Sequence, residues 1–260
     1  MSSPANFPKK RLGQHFLKDP NTARLMAAEV TGEDVVLEIG PGRGFLTAFL
    51  AQRAHLVHAV ELDPDVLPAL RRAAGDNVWI HEGDALRFDY DALEPAPNKL
   101  VANLPYNVAS PLVLRLLEET GSLEHLRFMV QLEVARRMAA GRGTKDYAAY
   151  AALVQLLAEV RIAHRVSPNV FDPPPRVYSA VVDMERRRPG LELAEYRGVK
   201  QLVLAAFRSR RKRLINNLPE PARGEAPRVL HSLGYGPDAR AEELGPEDFV
   251  ALYRAVAWAL

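Results

Sequence analysis

The sequence contains no cysteine. That excludes a disulfide framework, a thiolate nucleophile and any cysteine-ligated metal. It also lacks a long hydrophobic run: a stretch such as Ala148–Val154 falls far short of the ~18–20 apolar residues a membrane-spanning helix requires. Residues 1–16, MSSPANFPKKRLGQHF, carry basic side chains with no apolar stretch behind them, so no secretory signal is expected. A cytoplasmic protein is the expectation. The seven histidines form no H-x-x-x-H pair or other ligand cluster, and no metal site is expected. Net charge is small as well: 34 basic against 32 acidic side chains leaves +2, which alone points to no class of partner.

What remains is a globular chain of 260 residues, 48% hydrophobic and 25% charged, long enough for one sizeable core or a main domain with an appendage. Charge is clustered rather than spread. Lys9, Lys10 and Arg11 form one group, Arg186–Arg188 a second, and Arg208, Arg210, Arg211, Lys212 and Arg213 a third; acids such as Glu242, Glu243, Glu247 and Asp248 cancel them in the sum. A charge run is often a solvated helix face. Five charges packed into residues 208–213 point instead to phosphate contacts that weaken as salt rises.

Short β-branched runs alternate with helical periodicity through the first two thirds of the chain. Strands are expected at Val35–Ile39, Leu56–Glu61, Val78–His81, Leu100–Asn103 and Phe128–Leu132, with later ones near Arg161–Val166 and Tyr178–Met184. Helices are expected at Thr22–Val30, Gly44–Arg53, Pro64–Ala74, Pro111–Glu119 and Val134–Ala140. This is an α/β pattern: a mainly parallel sheet covered by helices, with the last two strands as an antiparallel addition. After Arg186–Gly190 only amphipathic stretches remain, at Val199–Phe207, Ala226–Leu233 and Asp248–Trp258. The expected organisation is an α/β domain over residues 1–190 and an all-helical C-terminal domain over 191–260.

Three strand ends carry ligand-type residues. Glu38-Ile39-Gly40-Pro41-Gly42-Arg43-Gly44 follows the first strand and opens a helix; glycines at 40, 42 and 44 let backbone approach a bulky ligand. A nicotinamide dehydrogenase shares this logic, but its fingerprint is G-x-G-x-x-G, whereas this loop reads G-x-G-x-G. Glu61 ends the second strand, placed to bond two ribose hydroxyls. Asp84 follows the third, where a carboxylate either accepts from an adenine amine or caps a turn. The series favours an adenosyl ligand over three unrelated surface turns.

The fourth strand ends in Asn103-Leu104-Pro105-Tyr106. An adenine amine is a poor nucleophile because its lone pair delocalises into the ring. An amide oxygen and a neighbouring carbonyl, both accepting from that amine, would favour a pyramidal nitrogen and aim its lone pair. Pro105 fixes the backbone that holds the Leu104 carbonyl, and Tyr106 offers a stacking face. Phe171, ahead of Pro173-Pro174-Pro175, reads either as a core plug or as a second stacking face; the rigid proline run favours the clamp. Asn216 and Asn217 read equally as caps or RNA contacts.

With these residues in hand, the sequence resembles the KsgA-type ribosomal RNA dimethyladenosine transferases over nearly its whole length. KKRLGQHFL at 9–17, EIGPGRGFLT, NLPY, FDPPPRVYS at 171–179 and FRSRRKRLINNL at 207–218 are similar to the family's motifs, in order. The resemblance implies a Rossmann-like methyltransferase fold using S-adenosylmethionine. It implies methylation of two adjacent adenines, twice each, near the 3′ end of 16S ribosomal RNA in the small subunit or its precursor. It places cofactor contacts at His15, Leu17, Gly40, Gly42, Gly44, Glu61, Leu62, Asp84, Ala85 and Asn103, and target contacts at Asn103, Leu104, Pro105, Tyr106 and Phe171. Residues 1–20 would serve cofactor and RNA, and Phe207–Leu218 would form a basic helix. His15, Leu132, Ala148 and Ala151 depart from the family's common residues. A monomer is expected. The rivals are an Erm-type enzyme acting on 23S RNA and a non-catalytic RNA-binding or assembly factor on the same fold.

Overall fold

The computed structural model describes residues 13–220 and 222–256. In chain order it runs β1 (Phe16–Leu17), α1 (Pro20–Ala27), β2 (Val35–Ile39), α2 (Phe45–Ala51), β3 (Leu56–Glu61), α3 (Leu67–Ala73), β4 (Val78–Glu82), β5 (Lys99–Asn103), α4 (Ala109–Glu119) and β6 (His125–Gln131). There follow α5 (Leu132–Met138), α6 (Ala149–Leu157), β7 (Ala158–Val166), β8 (Phe171–Asp172), β9 (Ser179–Arg186), α7 (Leu193–Ala206), α8 (Ala222–Ser232) and α9 (Pro246–Val256). Every residue of β2 and β3 is buried, as expected of β-branched strands covered on both faces of a parallel sheet. The chain divides into two compact units: residues up to Ala135 with Val160–Arg186, and Arg136–Glu159 with Arg187 onward.

In the first unit the large sheet has the order β4-β3-β2-β5-β6-β9-β7. Strands β4 to β6 of that order pair in parallel, and β9 pairs antiparallel to β6. The order reverses between β2 and β5: the chain builds outward through β3 and β4, then returns to the other side of β2. A crevice opens outside the carboxyl ends of strands at such a switch point, which is where open α/β sheets hold ligands. β1 pairs antiparallel with β8, Leu17 opposite Phe171. That pairing ties the segment before α1 to the loop before β9.

The sheet's far end is fixed by Asp34. Its carboxylate accepts from Thr31 N at 2.8 Å, Lys99 Nζ at 2.8 Å and Asn98 Nδ2 at 2.8 Å, joining the turn before β2 to the start of β5. Burial alone would raise this carboxyl, but the Lys99 ammonium and the amide and backbone donors prevail and hold it at about 2.

Gly44 caps α2 in the left-handed region, φ 85°, where a side chain is strained. A Cβ there would also sit 2.7 Å from the Ala73 Cβ of α3. The glycine is therefore what lets α2 and α3 approach.

The second unit departs from expectation in two ways. The expected boundary at 190 leaves out α6, a helix absent from the expected set, which groups with the C-terminal helices rather than with the α/β domain. Its buried Ala151, Ala152, Leu153, Val154, Leu156 and Leu157 leave little polar face for periodicity to mark, and it packs on α7 and α9. The basic helix expected over Phe207–Leu218 is also corrected. α7 stops at Ala206, and two short 3₁₀ turns follow at Phe207–Ser209 and Leu214–Asn217, with Arg213 extended between them at ψ 143°. Asn217 Nδ2 donates to the Ala206 and Ser209 carbonyls at 2.7 and 3.0 Å, closing α7 with a side chain. Buried Leu214 and Leu218 pin the second turn.

Two stability outcomes follow. Asp34→Ala should lower unfolding free energy at pH 7 by about 1–2 kcal/mol, after allowing for solvent screening. A depressed carboxylate stabilises above its unfolded value and loses that contribution as pH falls toward about 2, so the deficit should shrink below pH ~3.8 in denaturant titrations. Gly44→Ala should cost roughly 2 kcal/mol by thermal unfolding, from strain and overpacking together; an unchanged melting temperature would refute the packing role.

Candidate functional site

A cleft of about 360 Å³ lies outside the carboxyl ends of β2, β3, β4 and β5, at the switch point. Its walls come from 13–18, the glycine loop, the ends of β3 and β4, residues 103–108 and Asp172. The strand ends are bonded to one another before any ligand is considered: Gly40 N donates to Val60 O at 2.9 Å and Gly83 N to Glu61 O at 2.9 Å.

The loop after β2 needs its first two glycines for space as well as dihedral angle. Gly40 and Gly42 have φ 69° and 58°. A Cβ at Gly40 would come 3.2 Å from the Pro105 ring, and one at Gly42 would come 2.9 Å from the Phe16 ring. Gly44 is corrected: it does not line the cleft, and its constraint is the α2–α3 contact described above.

Glu61 is buried, with Oε2 accepting from Gly42 N at 2.9 Å and Oε1 from Asp63 N at 2.8 Å. Burial raises its carboxyl while these N–H groups oppose the rise. Glu38, on the cleft wall, is buried more deeply and is raised to about 8, chiefly by desolvation and further by the Glu61 charge. Its Oε2 has no partner. Glu38 belongs to the sequence motif, which by itself implies no role for it. Gln14, which donates to Asp63 Oδ2 at 2.8 Å, is a further wall residue outside the expected set. Nothing in a lone Gln-to-Asp separation of 49 residues signals that contact.

At the tip of β5, Asn103 Nδ2 donates to the His15 carbonyl at 2.9 Å. The amide's orientation is thereby set, and its Oδ1 is buried with no partner. The Tyr106 ring stands 5.4 Å from the His15 ring, tilted by 31°. Its hydroxyl is 2.5 Å from Ser179 Oγ. Burial pushes that phenol up to about 12, so it stays neutral. His15 Nδ1 is in turn 2.8 Å from the Pro173 carbonyl, to which it donates. Leu104 and Pro105 complete this wall.

Other predicted residues are placed as follows. Leu17 is buried at the cleft's back, and Leu62 lines the rim at 49% exposure. Asp84 lines the cleft while its Oδ1 accepts from Leu86 N at 2.9 Å, so the turn-capping reading is true of one oxygen. Ala85 also lines it, its carbonyl taken by Tyr90 Oη and Arg115 Nη1. Phe171 is corrected. It is 0% exposed, within the core cluster with Leu17, Met26 and Met129, and absent from the cleft wall. The β1–β8 pairing turns its ring inward, so the core plug is the reading that holds. Lys9, Lys10 and Arg11 lie outside the described residues. In the second unit Arg210 pairs with Glu242 at 2.8 Å and Arg213 with Asp238 at 2.8 Å, so the cluster is partly compensated. Arg208, Arg211 and Lys212 are exposed.

A site with a partnerless amide oxygen, an adjacent aromatic face and a glycine cradle closed by a glutamate suits a nucleoside ligand beside a planar base. Comparison with known proteins agrees. Residues 5–257 match the family model described as ribosomal RNA adenine dimethylase. A protein of Rubrobacter xylanophilus named ribosomal RNA small subunit methyltransferase A is 73% identical over 252 residues, covering 96% of this chain and 95% of its own. One of the same name from Neisseria gonorrhoeae is 37% identical over 254 residues, covering 96% of each. Among solved structures, a dimethyladenosine transferase from Plasmodium falciparum superposes with TM-score 0.82 at 25% identity, over 94% of this chain and 98% of that one. The 23S rRNA methyltransferase ErmE does so at 0.73 and 28%, over 93% and 99%. Sequence motifs, sheet order and the whole-length match thus converge, and the chain belongs to the ribosomal RNA adenine dimethylase family.

Proposed function

We propose that this protein dimethylates the N6 amines of two adjacent adenines near the 3′ end of 16S ribosomal RNA, with S-adenosylmethionine as methyl donor. It does so as a monomer in the cytoplasm, on the small ribosomal subunit or its precursor. The observation that carries the reading is Asn103 Oδ1: a buried acceptor without a partner, beside Tyr106, at the mouth of an adenosyl-sized cleft. A buried unpaired acceptor costs ~1–3 kcal/mol and persists where a ligand supplies the missing donor. That argues against a non-catalytic factor. The small-subunit names of the 73% and 37% identical relatives favour 16S over 23S RNA.

The residues present fit the cofactor. Glu61 retains lone pairs for a ribose diol, Gly40 and Gly42 leave room at the backbone, Leu62 and Ala85 flank the adenine, and Asp84 keeps one oxygen for its amine. His15 and Leu17 close the methionine side. When bound, S-adenosylmethionine supplies a methyl group on a positively charged sulfur, already activated for transfer.

The protein's own part is alignment. Asn103 Oδ1 and the Leu104 carbonyl accept the two hydrogens of the target amine and direct its lone pair into the cleft. Tyr106 stacks on the base, held in place by Ser179. The methylated amine is acidic enough to lose its proton to water, so no tuned base is required. RNA phosphates engage Arg208, Arg211 and Lys212, together with Lys9, Lys10 and Arg11.

Asn103→Ala should reduce single-turnover methylation of undermethylated small subunits by roughly 10²–10³-fold. Calorimetric affinity for the cofactor should change by only a small factor; full activity would remove Asn103 from this role. The same assay on large subunits separates the 23S rival. Arg211→Gln with Lys212→Gln should weaken RNA binding and lower the salt slope by about 2. Arg210→Gln, whose guanidinium is held by Glu242 and the Lys145 carbonyl, should leave the slope unchanged.

A further inference from the structure

Tyr178 stands just before β9, 44% exposed, and the guanidinium of Arg165 lies 3.8 Å over its ring centroid. Both residues belong to the unit that carries the cleft. Arg165 sits on β7, an edge strand of the large sheet whose residues from Arg161 to Arg165 are all exposed. Arg176 and Val177, in the turn ahead of Tyr178, are exposed too. Arg161 has an acidic partner, Asp183 at 2.7 Å, but among the described residues no ion pair is recorded for Arg165 or Arg176. An exposed cation–π pair of this kind adds only a little to folding.

The backbone connects this pair to Tyr106 on the cleft wall. Tyr178 O accepts from Leu132 N at 2.9 Å, at the carboxyl end of β6. The next residue, Ser179, is the one whose hydroxyl anchors Tyr106. An enzyme that works on a base must draw it out of the stack, which leaves the neighbouring base without a stacking partner. A flat ring stiffened by a cation supplies that partner without selecting a sequence, and unpaired guanidinium groups beside it meet the phosphates.

We propose that Tyr178, held by Arg165, is a stacking platform for the nucleotide flanking the target pair, with Arg165 and Arg176 neutralising the adjoining phosphates. This rests on the ribosomal RNA reading above and extends it to residues outside the cleft wall. An RNA rather than a protein partner is indicated by the combination of a half-exposed aromatic ring with two arginines for which, among the described residues, no ion pair is recorded.

The test uses the full chain with undermethylated small subunits whose 16S RNA carries 2-aminopurine immediately before or, separately, immediately after the target pair. The wild type should quench the fluorescence at one of the two positions. Tyr178→Ala should abolish that quenching and raise KM for the subunit about tenfold. It should leave kcat within about twofold and cofactor affinity unchanged, and Tyr178→Phe should behave as wild type. Arg165→Gln should reduce the salt slope by about 1. Absence of quenching at both positions in the wild type, or a Tyr178→Ala variant equal to it, would overturn the platform while leaving the methyltransferase intact. A wild type that methylates no small subunits would instead overturn the function on which the platform rests.

Discussion

An amide has two ends, and in Asn103 one is committed before any ligand arrives. Its nitrogen donates to the His15 carbonyl, which leaves the oxygen buried and without a partner at the tip of β5. Everything that fixes His15 therefore fixes the acceptor. The segment around it is held from three directions: Gln14 to Asp63 at the end of β3, the His15 ring to the Pro173 carbonyl, and β1 to β8. A single polar contact thus makes a strand end and a preceding segment one unit. The orientation that leaves oxygen free is a consequence of folding, not of binding.

The opposite wall obeys an electrostatic constraint. Glu38 and Glu61 are both buried at adjacent strand ends, and two carboxylates in one low-dielectric site do not readily ionise together. Glu61 has backbone N–H donors from Gly42 and Asp63, which favour its charge. Glu38 has only the Thr47 side chain to oppose its burial, and at about 8 it is mostly neutral at pH 7. Of these two glutamates, Glu61 is consequently the one held as a carboxylate, bound into the glycine loop. That bond also sets the loop: Gly42 needs φ 58° to aim its N–H at Glu61, and the Phe16 ring fills the space a side chain would take.

Most of the sheet was legible because buried parallel strands are short, β-branched and bounded by turn residues. Val35–Ile39 and Leu56–Glu61 have the expected limits. The strand-end motifs were legible for a related reason: the switch point of an α/β sheet is where chemistry must sit, so a glycine loop and NLPY after strands were informative together. Features set by tertiary contacts were not. α6 is too uniformly apolar to show a period. The segment after Ala206 has the composition of a helix, but Asn217 reaches back and ends α7 first. Gly44 and Phe171 looked like members of the site because they sit within its motifs. Their neighbours Ala73 and Leu17 come from elsewhere in the chain, and those contacts decide the matter.

Arginine shows the same separation between composition and role. Most of those with recorded partners are structural. Arg127 joins Glu29 and Asp183, Arg254 meets Glu195, Arg210 meets Glu242, and Arg213 meets Asp238. These acids are each held by a particular arginine, while among the described residues no ion pair is recorded for Arg165 or Arg176. A net of only +2 from 34 basic and 32 acidic side chains therefore says little about where charge is locally balanced. A uniform surface charge would attract RNA in any orientation. A few unpaired cations at fixed places would attract it in one, and Arg165 and Arg176 belong to the unit that holds the cleft, where, on the proposed reading, orientation would set which base meets Asn103.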